Sequence, residues 1–81
     1  MSPLKLCLKP QPARRVIKAL SSVGFEVVRK HRSHVVLKHP DGRITVVPVH
    51  VREDISAGLL LKIMKDAKME RDEFLRLLTK K

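Results

Sequence analysis

Apolar residues recur at helical spacing in Val16, Ile17, Leu20 and Val23, with Arg14, Arg15 and Lys18 at the intervening polar positions. Spacings of three and four place such residues on one face of an α-helix. Pro12 suits a first helical turn and Gly24 a helix stop, so a first helix is predicted between them. The pattern then shortens. Phe25 to His31 reads as a strand, and two further β-rich runs, Ser33 to His39 and Arg43 to Val49, flank Pro40-Asp41-Gly42. Asp-Gly between such runs signals a hairpin, because a type I′ turn needs positive φ at both central residues. Pro48 has no N–H to give a ladder and should close the third strand or lie on a sheet edge.

From Val49 to Ile55 a loop is expected. Asp54 or Ser56 can cap a second helix whose apolar stripe is Leu60, Ile63, Met64 and Ala67, with Lys62, Lys65 and Lys68 outside it. Met69 to Leu78 predicts a last helical segment packing through Phe74, Leu77 and Leu78. The order is helix, three antiparallel strands, helix, helix, an α+β arrangement without repeats. At 81 residues the chain holds one core, so residues 1–81 are read as a single domain with an extended segment over 1–12.

A two-residue Asp41-Gly42 turn would pair Leu37 with Val46 and His34 with Val49. In that register Val35, Leu37, Ile44 and Val46 join Phe25 and Val27 beneath the helices. Val36, Val47 and Val49 share the opposite face with His34, as an apolar stripe that calls for a partner, either a second copy of the chain or another protein. A slip of one residue would exchange the faces.

Charge narrows the function. With 18 Lys plus Arg against 8 Asp plus Glu, the formal net charge is +10, which favours a polyanionic partner. No apolar run approaches the roughly 20 residues of a membrane span, and the start is broken by Pro3, Lys5, Pro10 and Pro12, unlike a signal peptide. Cys7 is the one cysteine, so no internal disulfide forms, and a soluble cytosolic protein is expected. Phe25 and Phe74 are the only aromatic residues and both sit in apolar contexts, which leaves no exposed rings for stacking bases.

The stretch Gly24-Phe25-Glu26-Val27-Val28-Arg29, then Ser33-His34, His39-Pro40-Asp41-Gly42 and Val47-Pro48-Val49-His50, resembles the HicA (YcfA-like) toxin family. Its members show a Gly-Phe strand start, a Gly-Ser-His motif, a Pro-Asp-Gly hairpin and a Pro-Val-His ending in this order and spacing. The resemblance covers Ala13 to Leu78. It implies a double-stranded-RNA-binding-domain-like α-β-β-β-α fold, a three-stranded antiparallel sheet with the main helices on one face, followed here by a short C-terminal helix. It also implies metal-independent endonucleolytic cleavage of mRNA by the His of the Gly-Ser-His motif, which is His34, and a HicB-type antitoxin that covers the site. No cofactor is implied. Three departures stand out: Arg32 replaces the Gly before Ser-His, and Lys68 and Glu70 replace residues that separate the last two helices, so those helices are expected to run together.

Imidazole suits metal-free RNA cleavage because it takes or gives a proton near neutrality. His50 fits a second proton-transfer role and a loop-fixing role equally, and Ser33 could position phosphate or simply form a turn. His31 and His39 read as surface residues. Arg29, Lys30, Arg32 and Lys38 are the cations expected nearest His34, with Lys18, Lys62 and Lys65 tracking phosphates farther away. No paired His or Cys spacing suggests a metal site. A non-catalytic double-stranded-RNA-binding module, which reads A-form shape through basic residues, fits the charge as well, and so does a degenerate toxin kept as an interaction partner.

Overall fold

The computed structural model describes residues 9–50 and 53–79. Cys7, most of the N-terminal segment and the charged end at Lys80 and Lys81 lie outside them, as do residues 51 and 52 of the expected loop. The order is α1 (Ala13–Ser21), β1 (Glu26–His31), β2 (His34–Lys38), β3 (Ile44–Pro48), α2 (Ala57–Asp66) and α3 (Arg71–Thr79). This is the double-stranded-RNA-binding-domain-like arrangement, with an antiparallel sheet in the order β1-β2-β3.

Each helix forms for a local reason. Pro12, in extended conformation, leads into α1, which buries Ala13, Val16, Ala19 and Leu20. Between the two caps proposed for α2 the structure selects Ser56, whose side chain accepts from the Leu59 N–H. Leu60, Ile63 and Ala67 of its apolar stripe are buried, and Met64 is half-buried. In α3, Phe74, Leu75 and Leu78 are buried and Leu77 packs at the margin. The Arg15 guanidinium donates to the Leu78 carbonyl, tying α1 to α3 at 3.3 Å.

The last two helices do not run together. Lys68 takes a left-handed conformation at φ 55°, and the Lys68 and Met69 N–H groups cap the Lys65 and Met64 carbonyls. That double bond is a Schellman ending, a position usually held by glycine. Burial of Ala67, Met69 and Phe74 on either side favours the break over helix continuity, despite the side chain on Lys68.

The β2–β3 register also differs from expectation. Leu37 faces Thr45, Val36 faces Val46, Val35 faces Val47 and His34 faces Pro48. The cause is Pro40. A two-residue turn would need residue 40 to donate an N–H to Arg43, and proline has none. His39 donates instead, 2.8 Å from the Arg43 carbonyl, and Gly42 returns a bond to the His39 carbonyl at φ 103°. The result is a three-residue loop ending in a left-handed residue.

One residue of difference exchanges the faces of β3. Thr45 and Val47 are buried with Val35 and Leu37, while Ile44 and Val46 are exposed on the open face with His34 and the half-buried Val36. Val47 therefore belongs to the core and not to an exposed stripe, and half-buried Val49 packs against the core margin. Phe25 is buried as expected, but Val27 is 41% exposed because the helices leave the β1 edge uncovered. A bulge between Val27 and Arg29 leaves Val28 unpaired on that edge. The shift also buries the Thr45 hydroxyl, which has no hydrogen-bond partner among the described residues.

The turn is locked by a cluster around His39, which is a structural residue and not a plain surface one. Its Nε2 lies 3.0 Å from the Val23 carbonyl, its ring meets Phe25 edge to face, and a Cβ on Gly24 would come within 2.7 Å of it. Asp41 accepts from the Arg43 backbone and guanidinium, and Arg43 extends over Phe25 to donate to the Ala67 carbonyl at 2.7 Å.

Val47→Glu should lose about 3–5 kcal/mol by burying an unpaired charge, whereas Val46→Glu should cost about 1 kcal/mol or less. Urea unfolding of the two variants checks the register, since the expected two-residue turn would reverse their order.

The Arg43 side-chain hydrogen bond lowers the Asp41 pKa from 3.8. The ionised carboxylate therefore favours the fold above that ordinary value, and the contribution is lost as pH falls through the lowered one. Asp41→Asn should be less stable than the parent at neutral pH, with the gap in melting temperature closing in strong acid.

Candidate functional site

Three rows of side chains cross the open face of the sheet. Cross-strand partners share a face, so the terminal row is His31, His34 and Pro48, the next is Arg29, Val36 and Val46, and the last is Glu26, Lys38 and Ile44. His34 is exposed at the start of β2. Its neighbour across the β1–β2 turn is His31, also exposed.

The turn between them is Arg32-Ser33, with Arg32 at φ 56°. Arg32 thus adopts the left-handed conformation that its family glycine would adopt freely, and His34 keeps its place in the strand. The Ser33 carbonyl accepts from the Val49 N–H at 2.6 Å, which extends the β2–β3 ladder one step past Pro48. Ser33 therefore holds the strand end through its backbone.

α2 packs against β3, and one side of it borders the open face. His34, Val46 and Pro48 of the sheet and Leu59, Lys62, Ile63 and Asp66 of α2 line a groove of about 460 Å³. Its walls are mainly apolar, and its charged edge is the Lys62–Asp66 ion pair, 3.2 Å between Nζ and Oδ2.

The candidate residues separate in space. Arg29, Arg32 and Lys62 stand around His34, on the open face, in the turn and in the groove. Lys30 pairs with buried Val35 and so points to the other side of the sheet. Lys38 shares the face of His34 but lies about 13 Å along the strand, beside a different hollow with Glu26 and His39. Lys18 belongs to α1, in the helical layer, and exposed Lys65 is not among the residues that line the groove. His50 lines a separate groove of about 360 Å³ with Pro12, Arg14, Glu53 and Asp54. The structure does not bring it into the groove of His34.

His31 was passed over in the sequence, although a signal was there. A two-residue Arg32-Ser33 turn between β-rich runs pairs residues 31 and 34 directly. Asp66, the partner of Lys62 four residues on along a helix, was missed too.

Residues 13–69 match the family described as HicA toxin of bacterial toxin-antitoxin, which is more than half of the chain. The chain belongs to the HicA toxin family. No curated protein matches it. The matched stretch contains the whole open face and α2, whereas α3 lies beyond it. A HicA toxin is one half of a toxin-antitoxin pair, so an antitoxin partner is implied. Among the described residues, no helix is long and apolar enough to cross a membrane, and no group of three or more His, Cys, Asp or Glu could hold a metal ion.

The left-handed conformation costs a non-glycine residue about 1–2 kcal/mol, partly offset in glycine by its larger unfolded-state entropy. Arg32→Gly should therefore be about 0.5–1 kcal/mol more stable than Arg32→Ala, in denaturant unfolding at matched ionic strength. Equal stabilities would mean that the turn is unstrained.

Proposed function

We propose that this HicA toxin is a metal-independent endoribonuclease that cleaves mRNA, with His34 removing the proton from the attacking 2′-hydroxyl. The observation that carries this reading is the placement of His34: exposed, on the open face, lining a groove with Lys62, one row from Arg29 and two residues after Arg32. Deprotonation lets the 2′-oxygen attack the adjacent phosphorus, and the three cations oppose the negative charge that grows on the phosphoryl oxygens. Arg29 and Arg32 are the first-choice phosphate contacts, and Lys62 serves the strand that enters the groove. Lys30, Lys38, Lys18 and Lys65 widen the positive field at longer range.

Ser33 acts through its backbone in positioning His34, and His50 stands apart from the chemistry. The left-handed Arg32 supports an active toxin over a degenerate one, because it preserves the turn that a glycine would make. The partner proposed is a HicB-type antitoxin seated over the open face, where Val36, Val46 and Ile44 leave apolar surface beside the histidines. Both would meet in the cytosol, where the mRNA is.

Purified protein should cleave mRNA in excess EDTA. His34→Ala should keep its RNA affinity and lose about 10²–10⁴-fold in cleavage rate. Parental cleavage by that variant would overturn the assignment, and RNA binding without cleavage by the parent protein would favour the double-stranded-RNA-binding module.

A further inference from the structure

We infer that His31 is the general acid of the cleavage reaction, the group that protonates the departing 5′-oxygen, an inference that rests on the ribonuclease reading of His34. The two histidines are register partners across a two-residue turn. Register partners project from the same face with Cβ atoms about 5 Å apart. Both residues are exposed, so neither ring is committed to the core. Two imidazoles side by side at that spacing can reach oxygens on opposite sides of one phosphorus.

The chemistry needs such a pair. Neutral His34 takes the 2′-hydroxyl proton as the 2′-oxygen bonds to phosphorus. As the bond from phosphorus to the 5′-oxygen breaks, protonated His31 gives its proton to that oxygen. The products are a 2′,3′-cyclic phosphate and a free 5′-hydroxyl, with one negative charge on the phosphate before and after. The pair is left with its protonation reversed, and exchange with water resets it.

Among the described residues, no other proton donor near His34 is free for the task. Lys62 and Asp66 engage each other, the His39 ring is held against the Val23 carbonyl, and His50 lines another groove. Glu26 lies at the far end of the open face, and the chain has no tyrosine. Arg29 and Arg32 flank the pair and hold phosphate, but an always-charged guanidinium is a poor acid.

The experiment uses an RNA whose cleavage position has been mapped with the parent protein, and the same RNA carrying sulfur in place of the bridging 5′-oxygen there. Sulfur departs without needing a proton. His31→Ala and His31→Gln should cleave ordinary RNA about 10²–10⁴-fold more slowly, bind it normally, and approach the parental rate on the sulfur substrate. His34→Ala should stay slow on both. Parental rates for the His31 variants on ordinary RNA, or equal losses on both substrates, would overturn the acid assignment and leave the role of His34 intact. A fully active His34→Ala protein, or a parent that cleaves neither RNA, would overturn the ribonuclease reading and this inference with it.

Discussion

The absence of an N–H on Pro40 sets the register on which the rest of this structure depends. Because Pro40 cannot close the hairpin, His39 does, and β3 is held one residue away from the pairing that Asp41-Gly42 alone would favour. Side chains alternate with a period of two, so that one step decides which half of β3 enters the core. It sends Val47 inward and Val46 outward, strands the Thr45 hydroxyl among apolar groups, and sets Pro48 beside His34. The Asp41 carboxylate, the Arg43 guanidinium and the His39 ring then bind this turn to Phe25, Val23 and the end of α2. A polar cluster at one end of the sheet thereby holds the geometry used at the other.

Two turns impose left-handed backbone on residues ill suited to it. Arg32 and Lys68 sit where glycine would be unstrained, and both conformations persist because their surroundings over-determine them. At Arg32 the ladder from His31 to His34 and the bond from Val49 to Ser33 close the hairpin from both sides. At Lys68 the burial of Ala67, Met69 and Phe74 demands a change of direction. The side chains gained in exchange are cations on an already basic protein, and Arg32 stands directly beside the proposed catalytic pair.

To the RNA proposed as substrate the open face offers charge and shape, with no stacking rings. Both phenylalanines are buried, Phe25 under the turn cluster and Phe74 on α3 within the core. The proposed phosphate contacts are therefore assigned to Arg29, Arg32 and Lys62, and the groove beside α2 offers apolar walls of Val46, Pro48, Leu59 and Ile63. Val36, Val46 and Ile44 are the apolar surface that the proposed antitoxin would bury next to the histidines.

Much of this protein was legible in its sequence. Helical periodicity, the Pro12 and Gly24 boundaries and the three β-rich runs determined the element order, since local spacing dictates which residues one helix or strand can bury. The basic charge and the motif around Ser33-His34 pointed to the family, and the motif nominated His34 as the residue to test. Tertiary structure decided what depends on pairing between distant residues. Which cations gather around His34, the separation of His50 from it, and the break at Lys68 all follow from packing that no local pattern contains. The β3 face lay between these cases: its cause, a missing N–H on Pro40, was written in the chain, but its effect appears only when two strands must share hydrogen bonds.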